Sequence, residues 1–307
     1  MIQELEVLDF GPRPTVVVAP RIIVGDGFRA TGSHCPDAVQ RYPAVNPVVR
    51  GGVVPARELD FLRTKSRDFL LDAKTGLYMI QVPEVVLGND DRVRIPAASA
   101  WPYSPQGRLL LEFPKGDANG SGALVSTHHV LTAAHNVYVA DYGGWIKEAS
   151  FASGASGDGF PFGTAKVVRC YCPKAWVLDQ SNEDYDYAIM VLDRPVGALA
   201  GHMGMITYQS SENLLRRRVA VAGYPGDLGG KDPYLHVDAI KAVGDARFSY
   251  DIDTAKGQSG AVVFARFNDN PLSEIVVGVH TTGHFSGNGA TRLSTEVFDT
   301  ITSTLSK

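Results

Sequence analysis

The sequence predicts a mostly β chain organised as barrels or a sandwich, and three observations support this class. The 307 residues include 32 Gly and 18 Pro, a composition that favours turns and short strands over long helices. From about residue 85 onward, short β-prone runs alternate with Gly, Asn, Asp and Pro. Within this region only the tail has a clear helical period, because Val297, Ile301 and Leu305 recur every fourth residue. An all-α fold is therefore excluded.

The first 84 residues have a different character and predict a smaller α+β region. Residues 1–54 mix turn signals with short β-like runs at 15–18 and 21–24. Residues 55–74 carry apolar side chains near helical spacing, with Pro55 suited to the first turn, and predict an amphipathic helix. Gly76 ends this pattern, and residues 77–82 form a strand-like run before Pro83.

The strands expected in the rest of the chain are short and follow one another closely. They lie at residues 108–113, 122–125, 165–171, 188–192, 219–222, 261–264 and 275–279. Ser294 is suited to cap the helix that follows them.

Charge and hydropathy exclude several classes of function. The chain has 29 Lys and Arg against 33 Asp and Glu, and this net charge of −4 disfavours nucleic-acid binding. No apolar run is long enough to span a bilayer. Residues 1–10 carry acidic side chains where a secretory signal has basic ones, so a cytoplasmic location is favoured. Secretion would require a leader that had been removed.

The three cysteines predict neither a disulfide framework nor a metal site. Cys170 and Cys172 flank a single residue, a separation at which a disulfide would be badly strained. They also lack the spacing and the second pair of a zinc site, so we interpret them as thiols in a strand. At most one disulfide, through Cys35, is open to the chain, and we expect stability that does not depend on disulfides.

Three short motifs contain residues suited to nucleophilic catalysis. His135 ends the run Thr-Ala-Ala-His, Asp186 stands just before an apolar strand, and Ser259 lies in the run Gly-Gln-Ser-Gly. A serine hydroxyl needs a base to accept its proton, and that base needs a group that fixes its tautomer. Asp184 is the rival carboxylate, and we interpret it as a solvated loop charge.

The order His135, Asp186, Ser259 and the flanking motifs resemble the chymotrypsin-like (trypsin-like) serine peptidases. The resemblance implies an all-β fold of two antiparallel six-stranded β-barrels with the triad between them, plus the C-terminal helix. The first barrel would be residues 85–200, with His135 and Asp186, and the second residues 201–307, with Ser259. The backbone N–H groups of Gly257 and Ser259 would form the oxyanion hole. Such an enzyme acts on proteins or peptides through an acyl-enzyme, with no cofactor or metal.

Within this superfamily the chain resembles the bacterial glutamyl endopeptidases. The similar segments are residues 85–92, 250–260 and 277–283. The resemblance implies that Thr254, His280 and the free α-amino group of Val85 hold the carboxylate of a substrate Glu, or Asp, before the cleaved bond. A buried carboxylate needs such donors or a cation.

Two residues depart from this pattern. Asp253 lies six residues before Ser259, near the position where trypsin-type enzymes hold an acid that selects Lys or Arg. Cleavage after Lys or Arg is therefore an open alternative. Gln258 replaces the acid that pairs with a new N-terminus in animal enzymes, so that zymogen switch is expected to be absent.

Residues 1–84 would then form a pro-segment or a regulatory region of a latent precursor. Glu84 and Val85 form a bond that a glutamate-specific enzyme could cut in itself. The opposing interpretation is a catalytically silent binding protein whose residues 1–84 cover the cleft. An α/β-hydrolase is a weaker rival, because Ser259 is followed by a strand-like run and not by a helix. The sequence leaves the natural substrate and the oligomeric state open.

Overall fold

The structure is a computed structural model that describes residues 2–11, 22–25, 27–39, 86–266, 274–284 and 287–306. The helix expected at 55–74, the strand at 77–82, and the Glu84–Val85 bond lie outside the described residues.

Twenty strands and three α-helices make up the described part of the chain. The strands are β1 (Leu5–Asp9), β2 (Ile22–Gly25), β3 (Phe28–Thr31), β4 (Val93–Arg94), β5 (Gln106–Phe113), β6 (Gly116–Leu124), β7 (His129–Thr132), β8 (Tyr138–Val139), β9 (Gly144–Trp145), β10 (Glu148–Ser153), β11 (Thr164–Pro173), β12 (Ala188–Leu192), β13 (Ile206–Tyr208), β14 (Arg218–Gly223), β15 (Tyr234–Ala239), β16 (Ala242–Val243), β17 (Arg247–Tyr250), β18 (Val262–Ala265), β19 (Ile275–His284) and β20 (Gly287–Arg292). The helices are α1 (Lys174–Leu178), α2 (Val196–Ala200) and α3 (Thr295–Thr304).

The described residues from 86 to 306, which we call the body, form two halves, and the first half is a closed, antiparallel six-stranded barrel. Its strands follow the order β11-β10-β5-β6-β7-β12, and β11 also pairs with β12, which closes the ring. Its interior is filled by fully buried apolar side chains, among them Leu109, Phe151 and Met190. β1 adds a further strand to β11 from outside the ring.

The second half is an open antiparallel sheet of eight strands, which forms a half-barrel. Its order is β16-β17-β20-β19-β18-β14-β15-β4, with β16 and β4 at the edges. The predicted all-β, two-barrel fold is confirmed, although this half has eight strands and does not close. β4 belongs to this sheet, although it lies within the range 85–200 expected for the first barrel, because it pairs with β15.

A shared core joins the two halves and the C-terminal helix. Leu131 and Ile189 from the first barrel pack in one cluster with Val262 and Val279 from the second sheet. The predicted helix is present as α3, whose cap Ser294 accepts a hydrogen bond from Val297 N at 3.3 Å. Its apolar side chains at 297, 301 and 305 are buried, as their spacing indicates. No helix within the described ranges is both long and apolar enough to cross a membrane.

Candidate active site

Strand pairing brings His135 and Asp186 to the same end of the first barrel. β12 pairs with β7 so that Ala188 lies opposite Thr132. His135 comes three residues after Thr132, in a 3-10 turn at Ala134–Asn136, and Asp186 comes two residues before Ala188. Two residues that are 51 positions apart in sequence are therefore neighbours.

The Asp186 carboxylate fixes the imidazole of His135. One carboxylate oxygen lies 2.7 Å from His135 Nδ1, and the other accepts the backbone N–H of His135 at 3.0 Å. The Asp186 side chain is only 1% exposed, whereas Asp184 is exposed at the rim of the cleft. This arrangement keeps the proton on Nδ1 and leaves Nε2 as the unprotonated ring nitrogen, which is the tautomer that a general base requires.

Ser259 lies in the loop between β17 and β18, and contacts from the first barrel hold its backbone. The carbonyl oxygen of Ser259 accepts hydrogen bonds from Ser121 N and from Asn136 Nδ2, both at 3.0 Å. Gly257 has φ +99°, and a Cβ there would lie 2.5 Å from the Tyr224 carbonyl oxygen. Only glycine fits this turn. His135, Asp186, Gly257 and Ser259 all line one cleft between the two halves.

Thr254 and His280 are both completely buried, and neither is among the residues that line this cleft. Thr254 Oγ1 makes no hydrogen bond to any of the residues that the structure describes. His280 Nδ1 lies 2.7 Å from the Tyr250 hydroxyl and 3.1 Å from the Gly289 carbonyl oxygen, and these contacts set the orientation of its ring. When Tyr250 donates to Nδ1, the histidine proton is on Nε2.

The Asp253 carboxylate points toward the backbone of residues 87–91. Its carboxylate accepts the backbone N–H of Leu87 at 2.7 Å and that of Asp91 at 2.9 Å. Its own backbone N–H donates to His236 Nδ1 at 2.8 Å, and the side chain is 1% exposed. Both carboxylate oxygens are therefore occupied by residues 87 and 91.

Arg92 is a buried structural cation that sequence reasoning missed. Its guanidinium forms salt bridges with Asp90 at 2.8 Å and with Asp227 at 2.6 Å, and it donates to Gln258 Oε1 at 3.3 Å. Gln258 Oε1 also accepts the backbone N–H of Ala255 at 3.1 Å. Hydrogen bonding to Arg92 lowers the pKa of the Asp90 carboxyl. Arg92 thus links residues 86–92 to Gln258, the residue that stands where the animal enzymes have an acid.

A second ion pair, also missed, lies along the wall of the cleft. Arg247 on β17 forms a salt bridge with Glu183 and donates a hydrogen bond to Thr282 Oγ1 on β19. All three residues line the cleft, next to Thr281 and Gly283. In sequence, Arg247 and Glu183 stand 64 positions apart, and no local motif joins them.

Asp91, His236 and Asp253 have ligand atoms within 4.8 Å of one another, and hydrogen bonds already use His236 Nδ1 and the Asp253 carboxylate. His236 Nδ1 accepts the backbone N–H of Asp253, and both Asp253 oxygens accept backbone N–H groups. These hydrogen bonds hold residues 87–91 against Asp253.

Comparisons with known proteins identify relatives of the chain. Residues 120–269 match a family described as trypsin-like peptidase domain. The chain is similar to the glutamyl endopeptidase of Bacillus licheniformis, with 31% identity over 222 residues that cover 71% of this chain and 68% of that protein. It is also similar to a Bacillus subtilis protein named extracellular metalloprotease, with 29% identity over 71% of this chain and 69% of that protein.

The likeness extends to solved structures. A Glu endopeptidase in complex with MPD matches with a TM-score of 0.63 and 23% identity, over 73% of this chain and 100% of the other. A protease from Arthrobacter nicotinovorans matches with a TM-score of 0.55 and 17% identity, over 66% of this chain and 95% of the other. These two matches establish the fold.

Proposed function

This chain belongs to the trypsin-like serine peptidase family, which includes glutamyl endopeptidases, and we propose that it cleaves peptide bonds after Glu through His135, Asp186 and Ser259. The observation that carries the proposal is the hydrogen bond of 2.7 Å between His135 Nδ1 and Asp186, in a cleft that Ser259 also lines. Serine endopeptidase activity follows from the family. The residue assignments and the specificity are the proposal.

In the proposed reaction, Ser259 Oγ attacks the carbonyl carbon of the bond to be cleaved while His135 Nε2 takes its proton. Asp186 stabilises the imidazolium that forms. The N–H groups of Gly257 and Ser259 donate to the oxyanion of the tetrahedral intermediate. His135 then protonates the leaving amine, and an acyl-enzyme on Ser259 remains. Water, deprotonated by His135, hydrolyses this ester and restores the serine.

A buried hydroxyl without a hydrogen-bond partner supports a pocket for a substrate carboxylate. Thr254 Oγ1 has no hydrogen-bond partner among the described residues, and an unsatisfied buried hydroxyl costs about 1–3 kcal/mol of folding free energy. A carboxylate oxygen would accept its hydrogen bond. The proton on His280 Nε2, when Tyr250 donates to Nδ1, would supply a second donor.

The position of Leu87 supports a third group, the α-amino group of Val85. Leu87 N lies 2.7 Å from the carboxylate of Asp253, the residue that directly precedes Thr254. Val85 is two residues further toward the N-terminus, a distance that an extended chain spans in about 7 Å. An ammonium group at Val85 exists only after cleavage of the Glu84–Val85 bond, so the uncut chain would be a weak, latent form. Because residues 87 and 91 occupy the Asp253 carboxylate, cleavage after Lys or Arg is disfavoured.

The test compares kcat/KM for peptides that differ only in having Glu, Gln or Lys before the cleaved bond. We expect the processed enzyme to prefer Glu over its neutral isostere Gln by about ten- to a hundredfold, since each charge-assisted bond contributes about 1.5–3 kcal/mol. Thr254→Val and His280→Ala should each reduce this ratio. Faster cleavage after Lys, or an unchanged ratio in both variants, would show that the pocket is assigned wrongly.

A further inference from the structure

The N-terminal segment, which we define as residues 2–39, pairs with two strands of the body, β11 and β13. None of its described residues lines the cleft. A pro-segment that only blocked access would cover the cleft, whereas this one adds a strand to the closed barrel and forms a separate three-stranded sheet with β13.

The first contact is a strand added to the closed barrel. β1 pairs with the last five residues of β11 in an unbroken antiparallel register, from Leu5 opposite Pro173 to Asp9 opposite Arg169. The pairing continues beyond both strand ends, with hydrogen bonds from Phe10 N to Val168 O at 2.7 Å and from Lys174 N to Glu4 O at 3.0 Å. β10 covers the same edge of β11 only at residues 164–166. Without β1, most of this edge would expose unpaired backbone groups.

Side chains of the same strand complete buried positions in the barrel. The Asp9 carboxylate forms a salt bridge with Arg169, whose side chain is only 7% exposed. The hydroxyl of Tyr187, a buried residue, donates to Gln3 Oε1 at 2.6 Å. Leu5 and Leu8 pack against the cores of the body. Removal of the strand would leave a buried guanidinium without its carboxylate, a costly change.

The second contact uses β3. β3 pairs with β13, with Ala30 opposite Ile206, and Ala30 is completely buried. Beyond the strand, Thr31 N donates to Met205 O at 2.8 Å, and Met205 N donates to Thr31 Oγ1 at 2.9 Å.

The segment is also tied to the C-terminal helix and to the shared core. Arg29 forms a salt bridge of 2.7 Å with Asp299 and lies over the ring of Phe298 at 5.4 Å. His34 and His202 exchange two backbone hydrogen bonds of 2.8 Å. Val39, which is 8% exposed, belongs to the cluster that joins the two halves. The segment therefore contacts the barrel strand β11, the strand β13 and the helix α3.

We infer that residues 2–39 remain bound without a covalent link after the chain is cut between Glu84 and Val85, so that the active enzyme consists of two chains. The inference rests on the proposed function only for the place of the cut. Hydrolysis of that bond adds one water, leaving a carboxylate on Glu84 and an ammonium group on Val85. It breaks none of the contacts described above.

The experiment uses the full chain with Ser259→Ala, so that the protein cannot cut itself. A recognition sequence for a site-specific protease, one that cuts on the carboxyl side of its sequence, is inserted between Glu84 and Val85. The cut protein is analysed by size-exclusion chromatography and native mass spectrometry. We expect both fragments in one species with the mass of the uncut insertion variant plus one water, and their separation only in denaturant. The uncut insertion variant controls for folding.

A matched pair of substitutions ties retention to the strand contacts. Asp9→Ala removes the partner of buried Arg169 and should accelerate release of the fragment at least about tenfold. Val7→Thr on the same strand changes a side chain that is 50% exposed and should leave release unchanged. If the fragments elute separately from the cut protein in native buffer, or if Asp9→Ala leaves the release rate unchanged, the inference is wrong. Retention tests this inference without depending on Glu specificity, because the cut is made by another protease.

Discussion

The position of Asp253 gives the sharpest prediction about specificity. Its carboxylate accepts two backbone N–H groups, from Leu87 and Asp91, and so holds residues 86–92 beside Thr254. Asp253→Asn keeps the shape of the side chain but turns an NH2 group toward one of these donors. One charge-assisted bond is lost and the other becomes a neutral bond.

The size of the effect follows from these two bonds. A hydrogen bond to a charged group contributes about 1.5–3 kcal/mol and a neutral one about 1 kcal/mol, so the change costs roughly 2–5 kcal/mol. Leu87 is half-buried and Asp91 is exposed, so water can partly replace the lost bond and the lower value applies. A loss of about 2 kcal/mol shifts the docking of residues 86–92 about thirtyfold. We expect the preference for Glu over Gln to fall by about ten- to thirtyfold, because the Val85 amine would no longer be held near the pocket.

The assay is kcat/KM of the processed enzyme for matched Glu and Gln substrates. Asp91→Asn is the control, since it removes an exposed carboxylate from the same segment but keeps the backbone N–H that Asp253 accepts. The control should behave as the wild type. An unchanged Glu to Gln ratio in Asp253→Asn would refute the coupling. A wild type that prefers Lys, with this preference lost in Asp253→Asn, would identify Asp253 as the acid of a basic pocket.

Three further predictions concern buried groups. Thr254→Val removes a buried hydroxyl that has no hydrogen-bond partner in the described structure. Urea unfolding of this variant should therefore show equal or greater stability, while KM for Glu substrates rises. Lower stability with unchanged KM would assign Thr254 a structural role. Burial lowers the pKa of His129 and of His202 to about 4. The unfolded chain therefore binds more protons between about pH 6.5 and 4, and each histidine should reduce the unfolding free energy by about 1 kcal/mol per pH unit as the pH falls through this range; an identical pH slope in His129→Gln would contradict this. Burial also raises the pKa of the free thiols of Cys170 and Cys172, so both should resist alkylation in the native protein. Because both thiols are free, the protein should melt at the same temperature with or without reductant. Alkylation of either thiol in the native protein would contradict their buried placement.

Local sequence patterns predicted the fold where strands are rich in apolar residues. The runs behind β5, β11, β12 and β14 were predicted from such residues, and α3 was predicted from its period and cap. β20, with the sequence Gly-Asn-Gly-Ala-Thr-Arg, has no β propensity of its own and is a strand because β17 and β19 pair with it on both sides.

In the site, too, some features could be predicted from local sequence and others could not. His135, Asp186 and Ser259 stand in short motifs that are readable one at a time, and the strands bring them to one cleft. The direction of Asp253 and the links made by Arg92 depend on contacts between residues more than 130 positions apart. No local pattern contains that information, because the partner of Asp253 is a backbone N–H and not a side chain.

Covalent labelling of the processed enzyme with a serine-directed fluorophosphonate, followed by peptide mapping, tests directly whether Ser259 is the nucleophile. We expect one adduct, on the peptide that contains Ser259, with loss of peptidase activity in proportion to labelling. Ser259→Ala should take up no label, and His135→Ala should react slower by orders of magnitude, because the residues act as a unit. An adduct on another serine, or a Ser259→Ala variant that keeps its peptidase activity, would contradict the account.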